Sequence, residues 1–290
     1  KHLVKHMLKQ ERDVFFYTGT HWKHLDTNEI DKLKVTIMRA GKAAYTSAKC
    51  NGVWELFVTK LPNPKIKNIF SPHTGAVNFL NGTLFLERTG GDINKRELVF
   101  RPHNREDYLL NVLPYSYQPD SKEVNKEFLE MLQRVCKSDD PKETQDKIEA
   151  IQRLFGACLA PEFPIFYFLY GPPATGKSTI LKILNKFVHE DNISRVDPGD
   201  LLGFNLESMA GKLVNMDADI DVNKPIQDSV IKKVIDRMPI RIQRKNRTDL
   251  YAPLPAVQVF GANELPRTMD RGSGAHQRRW VLVEFTNAQI

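Results

Sequence analysis

The sequence predicts an α/β fold in its second half, preceded by a smaller α+β domain. Three observations carry that expectation. The apolar stretch Ile165-Phe166-Tyr167-Phe168-Leu169-Tyr170 has the length of a buried strand, and Ile180 to Val188 is apolar at helical spacing. Between them lies Gly171-Pro172-Pro173-Ala174-Thr175-Gly176-Lys177-Ser178-Thr179, a full match to G-x-x-x-x-G-K-[ST]. Short apolar strands that end in acids or an amide follow it, whereas the first 120 residues mix strand and helix patterns. The expected division is an α+β domain over 1–120, a helical lead-in over 121–160 and an α/β core over 161–290.

Strand, glycine loop and helix in that order are the context in which this motif binds a nucleoside triphosphate. The glycines let the backbone curl so that successive N–H groups face phosphate oxygens. Lys177 is expected to reach the β- and γ-phosphates, and the Ser178 hydroxyl to ligate Mg²⁺. The alternative is a chance turn between a core strand and a core helix. The complete nine-residue match with both flanks argues against it. ATP and Mg²⁺ are therefore the expected ligands of residues 171–179.

Composition fits this reading. At 290 residues the chain has room for two domains, and 41% hydrophobic with 27% charged residues is typical of a globular protein. No apolar run approaches bilayer-spanning length. A start at Lys1, with no signal peptide, points to a piece of a longer protein. Cys50, Cys136 and Cys158 have no metal-ligand spacing and read as reduced thiols in a cytoplasmic setting. The pairs His2/His6 and His21/His24 lack the Cys or carboxylate partners of a zinc site. A net charge of +7 with a pI near 9.2 suits a polyanionic partner, although many basic proteins bind no nucleic acid.

Taken in order, residues 1–12 read as the end of a basic helix, and Thr18-Gly19-Thr20 between aromatic runs as a hairpin turn. Asp26-x-x-Glu29 reads as a capping box opening a helix to about Tyr45, with Ile30, Leu33, Val35, Ile37 and Met38 as candidate core. Trp54 to Val58 reads as a short strand. Asn81-Gly82, between Ala76–Leu80 and Thr83–Leu86, predicts a hairpin with a type I′ turn. Leu98–Arg101 and Leu110–Leu113 read as further short strands or extended pieces. Helices are expected over 122–137 and 142–158, with Pro141 well placed at the start of the second.

Beyond the glycine loop, Lys212 to Asp221 reads as a strand ending in acids. Asp217 or Asp219 is expected to bind the metal through water, the other to polarise the attacking water. A solvated acidic turn is the bland alternative. Ile226 to Asp236 has helical spacing, and Ile240 to Tyr251 reads as a basic hairpin turning near Lys245-Asn246-Arg247. Arg241, Arg244, Lys245 and Arg247 would offer donors to a phosphate backbone, or simply decorate a solvated hairpin. Val257 to Ala262 reads as a strand leading to Asn263. Arg278 and Arg279 follow a glycine loop and open the strand Trp280–Phe285, a position suited to a finger reaching a neighbouring subunit's triphosphate.

GPPATGKST at 171–179, KLVNMDAD at 212–219, VFGANELP at 259–266 and RRWVLVEF at 278–285 together resemble superfamily-3 helicases, and among them the phage and poxvirus primase-helicase family. The region around AVNFLNGTLFL looks like the domain ahead of the motor in that family, so the resemblance covers most of the chain. It implies an AAA+-like ATPase core and a ring, expected to be a hexamer, with ATP between subunits. Carried over by residue, it implies Lys177 and Ser178 for nucleotide and Mg²⁺, Asp217 and Asp219 for the acidic motif, and Asn263 as γ-phosphate sensor. It further implies Arg278 or Arg279 as the finger, with Arg244 and Lys245 on a hairpin facing single-stranded or forked DNA. A primase or polymerase domain ahead of Lys1, as in a phage primase-polymerase, and a host-cytoplasm location belong to the same implication. Many relatives have adjacent acids or a single Glu, whereas Ala218 separates the two here, which leaves their roles unassigned. The rivals are another P-loop enzyme, such as a protein remodeller or small-molecule kinase, and a nucleotide-switched DNA-loading ring that does not unwind.

Overall fold

In the computed structural model the two flanks of the glycine motif adopt the states their patterns predict, and the rest of the second half is built around them. The structure describes residues 3–40, 46–71, 75–88, 96–159, 165–245, 247–255, 257–266 and 280–286. Its contacts group into two compact units, Lys1–Ile69 with His103–Leu110, and Phe70–Pro102 with Asn111–Ile290. That grouping cuts the chain elsewhere than at 120 and 160.

The first unit opens with a 3₁₀ turn over Leu3–His6 and then an antiparallel sheet of β1 (Met7–Gln10), β2 (Asp13–Tyr17) and β3 (Trp22–His24). The expected basic helix over 1–12 is thus largely a strand, because Met7 and Leu8 are buried in pairing with Phe16 and Phe15. The Thr18-Gly19-Thr20 hairpin forms as expected between β2 and β3. Helix α1 (Thr27–Ala40) carries the expected capping box, with Glu29 N donating to Asp26 Oδ1 at 2.8 Å and Asp26 N to Glu29 Oε2 at 3.2 Å. Of its candidate core, Met38 is buried, Ile30, Leu33 and Ile37 are half-buried, and Val35 is exposed.

The strand expected at Trp54–Val58 is instead part of helix α2 (Ser47–Thr59). Trp54, Phe57 and Val58 are spaced three and four apart, so a helix brings all three onto the cluster of Met7, Val14, Leu25 and Leu61, where a strand would split them between faces. Thr46 caps the helix by accepting from Lys49 N at 3.3 Å.

The second unit holds three sheets among its described residues. A small antiparallel sheet joins β4 (Ala76–Phe79), β5 (Gly82–Arg88) and β6 (Arg96–Arg101). The β4–β5 hairpin exists, but its register pairs Phe79 with Gly82, so the connecting residues are Leu80-Asn81 and not Asn81-Gly82. Among the described non-glycine residues with positive φ, Asn81 is absent. Its amide instead bridges Tyr117, donating to Tyr117 O at 3.0 Å and accepting from Tyr117 N at 2.9 Å. That long-range pair, invisible in the local sequence, displaces the type I′ turn. Residues 110–113 form no strand, and Leu113 N donates to Asn78 O at 2.8 Å.

Helices α3 (Lys126–Val135), inside its expected span, and α4 (Pro141–Leu159), one residue longer at each end than expected, follow. The core is a five-stranded sheet of β7 (Ile165–Tyr170), β8 (Ile193–Ser194), β9 (Val214–Asp217), β12 (Val257–Ala262) and β13 (Trp280–Glu284) in the order β13-β7-β12-β9-β8. Every pairing in it is parallel. Parallel sheets are covered on both faces, which is why Val257 to Ala262 reads as one continuous buried run. Helix α5 (Lys177–Val188) and α3 with α4 cover one face around Leu132, Ile151, Leu154, Leu184 and Val259. Helix α6 (Asp228–Ile235) and the hairpin of β10 (Ile240–Ile242) and β11 (Leu250–Ala252) lie between β9 and β12 in sequence. Among the described residues no helix is long and apolar enough to cross a membrane.

Candidate functional site

The loop 171–176 joins the end of β7, an interior strand of the sheet, to the first turn of α5, where a helix N-terminus attracts anions. Its path depends on glycine at both ends. Gly171 has φ +137°, and a Cβ there would stand 2.1 Å from Phe285 O. Gly176 has φ +97° and serves as the N-cap of α5; its Cβ would stand 2.6 Å from Val135 Cγ1 of α3. Ala174 is also left-handed, at φ +60°. Such changes of hand are how successive peptides form an anion-binding concavity.

Side chains tie the loop together. Thr175 Oγ1 donates to Pro172 O at 2.8 Å. Lys177, a residue 7% exposed, donates from Nζ to Gly171 O at 2.6 Å and Pro172 O at 2.7 Å. Burial of the ammonium pushes its pKa down. The result is a positive charge held at the centre of the loop.

A cleft of about 750 Å³ opens over the loop, lined by residues 173–179 together with Ala218, Asp219, Ala262 and Asn263. Asp219 stands two residues beyond β9 and Asn263 directly after β12, and these two strands are neighbours. Ligands of open α/β sheets bind at such carboxyl ends of strands. Asp217, the last residue of β9, is not in that lining; its Oδ1 accepts from Asp219 N at 3.2 Å and shapes the acidic turn. The structure therefore separates two acids the sequence left equivalent. Ser178 and Thr179 line the cleft from the first turn of α5. Among the described residues no group of three or more His, Cys, Asp or Glu is placed so that it could hold a metal ion. A cation here would rely on Ser178 and the acidic turn.

Three residues that sequence reasoning missed also line the cleft: Met131, Arg134 and Val135, all on α3. No signal in the sequence marks them, because α3 lies about 40 positions upstream of the loop and is brought to it by tertiary packing, with Val135 against Gly176.

Of the remaining expected residues, those of the hairpin that are described do not line the cleft. Arg278 and Arg279, with the glycine loop before them, lie outside the described residues. On the hairpin, Ile240, Ile242, Leu250 and Ala252 are buried while Arg241 and Tyr251, paired in register, are exposed. Arg241 Nε donates to Asp249 Oδ2 at 2.6 Å. Arg244, expected among the outward cations, is turned in: it is 6% exposed, and Nε and Nη2 donate to Thr248 O at 2.9 and 2.7 Å. Its planar fork closes the hairpin's own loop. Lys245 is exposed and Arg247 half-exposed, with Asn246 between them outside the described residues.

Comparison with known proteins adds the following. Residues 169–279 match a family described as a family of unknown function (DUF5906). No curated protein matches the chain. Two apo structures of the NrS-1 C-terminal region are 13% identical to it and cover 99% of it, with TM-scores of 0.53 and 0.54. The chain spans 60% of those structures. At that identity the likeness shows a shared fold. A structure of JCV helicase is 16% identical over 58% of this chain and 47% of its own, with a TM-score of 0.36, too low to bear on the fold.

Proposed function

We propose that the chain is the motor of an ATP-dependent DNA translocase of the superfamily-3 helicase kind, working as a ring with ATP between subunits. One observation carries the reading. Lys177 with Ser178, Asp219 and Asn263, from three separate points of the sequence, line one cleft at the carboxyl ends of adjacent parallel strands.

The chemistry of these groups fits a triphosphate and a divalent cation. The loop 171–176 and the N-terminus of α5 offer peptide N–H donors, and Lys177 offers a desolvated ammonium. Ser178 with Asp219, or with Asp217 through the acidic turn, would hold Mg²⁺, which neutralises charge on the transferred phosphate when bound. Asp219 is the better sited of the two acids to orient water, and Asn263 to donate to the terminal phosphate. Arg278 or Arg279 completes the site from the next subunit in a ring, expected to be a hexamer. Lys245 and Arg247 hold one DNA strand by its phosphates, so binding is salt-sensitive and nearly independent of sequence. A primase or polymerase domain upstream and a cytoplasmic location complete the proposal.

The test is ATP hydrolysis with and without single-stranded DNA, beside Lys177→Ala. Turnover that DNA stimulates and the variant loses supports the reading; hydrolysis indifferent to DNA moves the chain to remodellers or kinases. A forked duplex that stays paired while ATP is consumed leaves a loading ring.

A further inference from the structure

We infer that α3 supplies the nucleoside side of the cleft, with Met131 and Arg134 holding the base of the bound nucleotide in the same subunit that carries the loop. This rests on the nucleotide-binding reading above. Both residues line the cleft together with residues 173–179.

Sheet order gives the cleft a direction. Asp219 and Asn263 leave β9 and β12, which lie on one side of β7. Helix α3 stands on the other side: it packs on α4, and α4 packs on β13, the strand that flanks β7 opposite to β12. The contact is close, since Val135 fills the space a Cβ on Gly176 would need. A phosphate chain whose terminal group lies toward Asp219 and Asn263 therefore leads its nucleoside toward α3.

The two side chains suit a flat aromatic ring. Met131 is half-buried against the core and offers a polarisable thioether, and Arg134 is exposed on the next turn with a planar cation. They are three positions apart, so they share a helix face.

The experiment compares two probes by calorimetry, ATP and inorganic tripolyphosphate, both with Mg²⁺, on the whole chain. The variants are Arg134→Ala, Met131→Ala and Lys177→Ala, each checked for an unchanged melting temperature. Arg134→Ala, an exposed position, tests the idea even if Met131→Ala unfolds. The expected result is ATP affinity weakened about five- to tenfold in Arg134→Ala, as for loss of one stacked cation, with tripolyphosphate affinity within about twofold of the parent. Lys177→Ala should weaken both probes. ATP affinity unchanged in Arg134→Ala, while Lys177→Ala still loses both, overturns the nucleoside assignment and leaves the loop assignment standing. Equal losses for both probes make Arg134 a phosphate contact and also overturn it. A parent chain that binds neither probe removes the nucleotide-binding reading itself.

Discussion

Replacing Gly176 by alanine tests the junction on which the cleft is built. Two separate costs apply. At φ +97° a non-glycine residue sits in the left-handed region, which costs about 1–2 kcal/mol. The new Cβ would stand 2.6 Å from Val135 Cγ1 and 3.0 Å from Cγ2, so one of them must move by most of an ångström. Val135 is 4% exposed within the main core cluster, so it has little room, and overpacking of that kind costs about 1–3 kcal/mol. The sum is about 2–5 kcal/mol, or roughly 5–20 °C in melting temperature at the 2–4 °C per kcal/mol of larger domains. The assay is a double-mutant cycle by urea unfolding, with Val135→Ala as the second change. Trimming Val135 makes room for the new methyl, so the double variant should be more stable than the two single losses predict by about 1 kcal/mol or more. The left-handed cost should survive in the double variant. Losses that add to within about 0.5 kcal/mol would refute the claim that α3 seats directly on the loop.

Three further outcomes follow from the hairpin and the core. Lys245→Ala should weaken binding of single-stranded DNA and lower the salt slope by about one, leaving basal ATPase and stability unchanged. Arg244→Ala should instead destabilise the chain by about 1–3 kcal/mol, because Thr248 O loses both of its donors; a stable Arg244 variant with a selective DNA defect would contradict the inward placement. Burial pushes Cys136 from 9.0 up to about 11 and Tyr115 and Tyr167 from 10.0 up to about 12. The folded chain thus keeps protons that the unfolded chain releases, so stability is full below about pH 9 and is lost as pH rises toward those raised values. Urea midpoints that hold steady from about pH 7 to about pH 10.5 would show that these groups are not buried as described.

Some of the molecule was legible locally. G-x-x-x-x-G-K-[ST] fixes its own backbone, since glycine at 171 and 176 is the only choice that tolerates the φ values found there. Apolar runs of strand length identify β7 and β12, and the capping box at Asp26 and Glu29 sets the start of α1. Each of these is decided within a few residues. The alternation Ile240, Ile242 marked the basic hairpin for the same reason.

Other features depended on partners far away in sequence. Trp54 to Val58 could be strand or helix on propensity, and the cluster around Met7, Val14 and Leu25 selected the helix. Asn81 has the chemistry of a tight turn, yet Tyr117 captured its amide and moved the turn by one residue. Arg244 carries the same charge as Lys245, and only the carbonyl of Thr248 turned it inward. The sequence by itself determined the loop, its lysine and the strands that carry Asp219 and Asn263. Tertiary structure alone decided which acid faces the cleft and that Met131 and Arg134 form its far wall, because sheet order and helix packing join residues that no local pattern relates.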